Sequence, residues 1–205
     1  MNQPRLGIGI VSFIETRDEL PELKRCLDSI ESFFPVILID GKWKDYPSEI
    51  TTSIIEVDEI IDNYSKIIHI KSPNLTEAQN RDKYLKFDMD YMIILDTDEY
   101  LEFPLGFEFF LRGLDDMFRN KSELCAFAHA ESEQNGGYVR MPRIIKHPNI
   151  LHYGIKHNEL LIGKKNVLKY PLNAPRGLII HHDKTLRTEN RKEKMINRNK
   201  NNPIH

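Results

Sequence analysis

Short apolar runs rich in β-branched residues alternate along this chain with segments whose apolar residues recur at helical spacing, and few architectures accommodate that order. Leu6 to Phe13 is the first such run, and a polar loop, Glu15-Thr16-Arg17-Asp18, follows it. Leu20, Leu23, Leu27, Ile30, Phe33 and Phe34 then form the apolar stripe of a helix that Pro35 ends. Val36 to Ile39 reads as a second strand, closed by Asp40-Gly41, and Lys66 to Ile70 as a third. Asn74, with Glu77 three residues on, predicts a helix start, and that helix runs to about Phe87. Tyr91 to Leu95 is a fourth strand. Strands alternating with helices in this way predict an α/β fold with a mainly parallel sheet flanked by helices.

The second half has a different texture. Leu101 to Phe118 is apolar and helical in part, whereas Tyr138 to Ile145, Leu151 to Tyr153, Asn166 to Tyr170 and Leu178 to His182 are short and strand-like. Gly136-Gly137, Pro148-Asn149 and Pro171 lie between them, which predicts a smaller mixed-sheet region packed on the first half. Thr185 to Lys200 reads as a polar helix held by docking. The 205 residues suit a single domain, and no internal repeat or linker divides them.

A composition of 40% hydrophobic and 29% charged residues is that of a soluble globular protein, and a net charge of -2 excludes a global field for nucleic acid or membrane. Basic residues do gather from Lys184 to Lys200, as a solvated helix face or as a segment beside an anionic ligand. The only cysteines, Cys26 and Cys125, both fall in apolar surroundings, so a disulfide framework is not expected and a reducing compartment fits. The apolar stretch of MNQPRLGIGIVSF is too short to span a bilayer and lacks a charged leader, so a cytoplasmic protein is expected.

The strongest chemical signal is Ile93-Ile94-Leu95-Asp96-Thr97-Asp98-Glu99. An apolar strand delivers two carboxylates to its C-terminal end, the end at which open parallel sheets bind ligands. Side chains two apart on a strand share a face, so Asp96 and Asp98 are expected to reach one Mg²⁺ or Mn²⁺ together. Asn80 and Arg81 sit early on the preceding helix, where Arg81 can hold phosphate or simply pair with Glu77 or Asp82. Asp40 can accept hydrogen bonds from a base or ribose, although Asp-Gly is also a common turn pair. His181 or His182 could complete a metal site, since imidazole suits transition metals. His157 and Glu159 could meet an acceptor or act as general base.

Taken in order, these motifs resemble those of the family 2 glycosyltransferases with the GT-A fold. Ile10-Val11-Ser12-Phe13 with Thr16-Arg17-Asp18-Glu19 is similar to the family's first strand and nucleotide-contacting loop. Cys26-Leu27-Asp28-Ser29-Ile30 resembles its first helix, Ile39-Asp40-Gly41 its base-binding aspartate, and Ala78-Gln79-Asn80-Arg81 its arginine–asparagine region with the order reversed. Asp96-Thr97-Asp98-Glu99 resembles its Asp-x-Asp metal motif, while Arg143, Tyr153, His157, Glu159 and Ile179-Ile180-His181-His182 resemble a subgroup pattern. Asn158 separates His157 from Glu159, and the motif of processive synthases is missing.

The resemblance implies transfer of a hexose-type sugar from a nucleotide-diphosphate sugar, commonly a UDP-sugar, to an acceptor hydroxyl with inversion. It implies Ser12, Thr16, Asp40, Asn80, Arg81 and Asp96 around the donor, and Asp96, Asp98 and His181 around Mn²⁺ or Mg²⁺. Residues 1–100 would be the donor half and 101–205 the acceptor side, with Arg187 and Arg191 near the diphosphate and Glu159 or His157 as base. Two other readings compete. A nucleotidyltransferase would carry a glycine-rich basic loop after the first strand, and Ser12 to Arg17 has no glycine. A non-catalytic sugar-nucleotide or glycan-binding module would need no base.

Overall fold

The computed structural model describes residues 4–30, 34–44, 46, 48–131, 138–154, 159–169 and 171–182. Strand β1 (Leu6–Ser12) is flanked by β2 (Val36–Asp40) and β4 (Tyr91–Asp96), and β3 (Ile67–Lys71) lies outside β2; all four run parallel. The same sheet continues beyond β4 through β7 (Tyr138–Lys146), β6 (Cys125–Glu131), β11 (Ile179–His182) and β5 (Glu99–Glu102), giving eight strands. A separate antiparallel sheet contains β8 (His152–Tyr153), β9 (Leu160–Ile162) and β10 (Lys165–Asn166). The fold class is thus the expected one, a mainly parallel α/β sheet with a smaller sheet beside it, but β7 and β11, expected in the smaller region, extend the main sheet, and the small sheet is antiparallel rather than mixed.

Both faces of the parallel strands are covered, which is why they read as unbroken apolar runs. On one face, Leu23, Leu27 and Ile30 of α1 (Leu20–Ile30) and Phe110 and Leu114 of α4 (Phe107–Phe118) pack with Ile8, Ile10, Ile93 and Leu95. On the other, Ala78, Tyr84 and Leu85 of α3 (Glu77–Leu85) pack with Ile37, Ile39, Met92 and Ile94, joined by Tyr153 and Leu160 of the small sheet. Cys26 and Cys125 are buried free thiols.

Local chemistry moved some boundaries. The cap of α3 is Thr76 rather than Asn74: Thr76 Oγ1 accepts from the Gln79 N–H at 3.2 Å, and Gln79 Oε1 accepts from the Thr76 N–H at 2.9 Å. Asn74 instead takes the left-handed conformation at φ 61, which asparagine tolerates in a turn. The strand expected over 166–170 is cut short after Asn166, whose Oδ1 accepts the Leu168 N–H at 3.0 Å and starts a 3-10 turn over Val167–Lys169. The helix α2 (Glu56–Ile61) and strands β5 and β6 gave no clear sequence signal. The polar helix expected from Thr185 lies outside the described residues.

One glycine is dictated by packing. A Cβ on Gly9 of β1 would stand 2.7 Å from two ring carbons of Tyr84, which lies flat against that strand. Gly9→Ala should therefore force the ring or the strand to move, at a cost of about 1–3 kcal/mol. Urea denaturation of the variant measures it, and an unchanged midpoint would show that Tyr84 yields freely.

Candidate functional site

The parallel strands bring their carboxyl ends to one rim. Register sets Ser12 beside Asp40 and Val11 beside Asp96, so β1, β2 and β4 finish level with one another. Such a rim is where ligands enter an open parallel sheet. Helix α1 packs below it: Cys26 Sγ lies 3.8 Å from the Asp96 carbonyl oxygen, and Ser29 Oγ accepts the Leu101 N–H at 3.0 Å.

At the β2 end, Asp40 is 1% exposed and internally engaged. Its Oδ1 accepts from Ser53 Oγ, which itself accepts the Ile14 N–H at 2.8 Å, while Oδ2 lies 3.4 Å from His69 Nε2. Asp40 therefore fastens Ser53, and through it the loop after β1, to the end of β2. Thr16 sits in that loop, at the cap of a 3-10 turn over Arg17–Glu19. Gly41 follows because a Cβ there would stand 2.5 Å from the Ser72 carbonyl oxygen. Ser72 Oγ in turn donates to Asn80 Oδ1 at 2.6 Å. Two rim groups, Ser12 Oγ and Asn80 Nδ2, are buried with no hydrogen-bond partner among the described residues. Buried polar groups are costly unless partnered, so these two are suited to meeting a ligand.

At the β4 end the carboxylates separate. Asp96 closes the strand, and its two oxygens face two arginines: Oδ1 is 2.9 Å from Arg81 Nη2, and Oδ2 is 3.0 Å from Arg143 Nη2. Arg143 Nη2 also lies 2.6 Å from Glu99 Oε1, and Glu99 Oε2 accepts the Asp96 N–H at 2.8 Å. Arg81 Nη2 is 3.0 Å from Glu77 Oε1 as well. Burial works against the Asp96 carboxylate, but Arg143 and Arg81 outweigh it and hold the group far below the usual carboxylate range. Glu99 shares a single arginine, so burial dominates, and with Asp96 nearby its carboxyl is pushed up to about 7.

Asp98 lies close enough to this network to help raise Glu99, and it also meets a histidine. It belongs to the turn after β4, is 6% exposed, and its Oδ2 lies 3.1 Å from His182 Nε2. β4 stops at Asp96 and Asp98 falls in the turn after it, so strand alternation alone does not decide whether the two carboxylates share a face. The histidine brought to Asp98 is also His182, not the expected His181. β11 pairs with β5 so that His182 is opposite Glu99 and His181 opposite Tyr100. His181 consequently points to the other face, where its ring stacks on Tyr100 at 4.7 Å and its Nε2 lies 2.6 Å from Glu102 Oε2. No group of three or more histidine, cysteine, aspartate or glutamate side chains suited to a metal occurs among the described residues.

Glu159 is half-buried in the small sheet, its carboxylate lying against Gly154: a Cβ there would come within 2.5 Å of Glu159 Oε2. His157, Arg187 and Arg191 fall outside the described residues. Sequence reasoning gave Arg143 no role and missed Glu99 and Tyr84. Two signals were available for Arg143: its place in the subgroup pattern of the resemblance, and a charge in the otherwise apolar Met141–Ile145 run.

The raised Glu99 acid has a consequence for stability. The folded protein binds this proton more tightly than the unfolded chain does, so stability falls as pH rises from about 4.5 to about 7. Glu99→Gln, which cannot ionise, should flatten that slope in urea titrations of the metal-free protein at pH 5 and pH 8. A slope equal to that of the parent protein would mean that Glu99 is already ionised at pH 5.

No protein-family model and no curated protein matches the sequence. Solved structures do match. The mannosyltransferase PcManGT from Pyrobaculum calidifontis, in complex with GDP-Man and Mn²⁺, aligns over 90% of this chain and 59% of its own length, with TM-score 0.55 and 10% identity. Weaker likenesses are to S. aureus TarS (66% of this chain, 23% of that one, TM-score 0.42, 12% identity) and to a 4-diphosphocytidyl-2C-methyl-D-erythritol synthase (93%, 97%, 0.44 and 11%). The chain thus spans 23% of TarS and 59% of the mannosyltransferase. Its eight-stranded sheet is that of a GT-A-type fold.

Proposed function

We propose that this protein transfers a sugar from a nucleotide-diphosphate sugar to an acceptor hydroxyl, with a divalent cation held at Asp98. The observation that carries this reading is the pairing of a buried turn carboxylate, Asp98, with His182 at the end of a parallel sheet, next to a carboxylate held by two arginines. One oxygen and one nitrogen ligand suit Mn²⁺, whereas Mg²⁺ would be held through the carboxylate alone, and both commonly complete their coordination with substrate phosphates. When bound, the cation would neutralise charge on the departing diphosphate. The mannosyltransferase of similar fold is complexed with GDP-Man and Mn²⁺, which supports nucleotide-sugar and cation use here as well.

The chain's own residues supply the rest. Asn80 and Ser12 present unpaired polar groups to the donor, with Thr16 in the adjoining loop. Asp40 shapes the base pocket by anchoring Ser53, and it receives the base when Ser53 or His69 gives way. We assign a UDP-sugar as donor and a single displacement with inversion. The acceptor oxygen attacks the anomeric carbon, the bond to the diphosphate oxygen breaks, and the acceptor proton passes to a base, for which Glu159 is the described choice and His157 its neighbour. Arg81 fixes Asp96 beside this centre, so Asp96 serves as an anchor of the arginine pair rather than as a second cation ligand. Residues 1–100 then form the donor half and 101–205 the acceptor side of one domain acting in the cytoplasm. The loop from Ser12 to Arg17 has no glycine to cradle a triphosphate, which favours glycosyl over nucleotidyl transfer.

Asp98→Ala and His182→Ala should each abolish Mn²⁺-dependent binding of the nucleotide sugar, and cut turnover by about 10²–10³, the cost of losing one preorganised charge partner. His181→Ala should retain both. Calorimetry with UDP- and GDP-sugars, with Mn²⁺ and with chelator, decides it. Equal affinity in Asp98→Ala and parent protein would remove the cation from this site. Asp40→Ala should weaken free nucleotide by about 1–3 kcal/mol, the cost of an unpaired buried partner. An unchanged affinity would leave Asp40 a purely structural anchor.

A further inference from the structure

Tyr84 is fully buried in an apolar cluster where a phenylalanine would fill nearly the same volume without a phenol to desolvate. The chain instead spends a glycine, Gly9, to seat this ring against β1. Its hydroxyl meets two groups: Tyr153 Oη at 2.9 Å and Arg81 Nη1 at 3.5 Å. Arginine only donates, so Tyr84 accepts from Arg81 and its own proton is available to Tyr153. Among the described residues, Tyr84 is the sole partner given to Arg81 Nη1, while Nε and Nη2 are engaged by Glu77 and Asp96. Burial also pushes both phenols up, so they stay neutral hydrogen-bonding groups.

Tyr153 belongs to the small sheet. Its N–H donates to Asp82 Oδ1 at 2.5 Å, and the next residue, Gly154, donates to the Glu159 carbonyl oxygen at 2.8 Å. Three near-consecutive residues of α3 therefore reach in two directions. Arg81 goes to Asp96 at the donor rim, and Asp82 and Tyr84 go to the strand that carries Glu159 on its hairpin.

We propose that the Tyr84–Tyr153 hydroxyl pair is a positioning element, which orients Arg81 on Asp96 and fixes the β8–β9 hairpin to the donor side of the site. This rests on the glycosyltransferase reading for its catalytic meaning, but its structural part can be read without substrate.

The test uses Tyr84→Phe, Tyr153→Phe and the double variant in the full chain. Each single change breaks the hydroxyl pair and should lower the melting temperature, whereas the double variant replaces both phenols with apolar rings and should regain part of it, the remaining loss being Arg81 Nη1 without its acceptor. Positioning would not return with stability. The donor KM should rise about tenfold in the double variant, and amide exchange at Tyr153 and Gly154 should remain faster than in the parent protein. Recovery of KM and exchange together with the melting temperature, or no change in either, overturns the proposal and makes the pair a packing element. If the parent protein uses no nucleotide sugar, the functional reading fails, and the exchange measurement alone decides the positioning role.

Discussion

Two arginines on one carboxylate organise the rim of this molecule. Asp96 ends the central strand β4, and Arg81 and Arg143 reach it from α3 and from the neighbouring strand β7. Buried ion pairs carry a desolvation cost that their attraction often fails to exceed, so such a network is a weak source of stability. Its effect is to specify arrangement. Removing Arg143 would leave buried Glu99 with no arginine and Asp96 with only one, so α3, β4, β7 and Glu99 are held in one mutual placement.

That placement explains how two neighbouring carboxylates acquire different tasks. Asp96 has its charge matched by arginines and lies far below the usual carboxylate range. Asp98, only two residues on, is turned away by the turn that ends β4 and meets His182 instead. A cation entering beside Asp98 would meet a carboxylate and an imidazole, with the arginine pair at Asp96 close in sequence and in space. The sheet supplies the rest of the rim through register alone, because Ser12, Asp40 and Asp96 all finish where parallel strands finish.

The small sheet adds a second side to the same helix. Helix α3 is buried against the main sheet through Ala78, Tyr84 and Leu85, yet it directs Arg81 to the rim and Asp82 to β8. A helix of nine residues is too short to be stable by itself, so its position depends on these contacts and on the Thr76–Gln79 cap. The rim of the main sheet and the small sheet consequently share one support.

Much of this was written in the sequence. The apolar runs at 6–13, 36–39 and 91–95 named the buried strands, because burial on both faces leaves no polar positions to hide them. The order of motifs named the fold, and Asp98 was legible as a strand-end carboxylate. What the sequence could not settle was which side chains meet. Whether His181 or His182 faces Asp98 depends on the pairing of β11 with β5, strands 80 residues apart, and a one-residue difference exchanges the two faces. Whether Asp96 turns to a cation or to arginine depends on Arg143, which arrives from β7, a strand distant in sequence that pairs with β4. Local pattern determines which residues are buried and in what element, since those follow from a period of two or 3.6. Partners across the sheet follow from strand register and chain topology, and only the folded structure decides those.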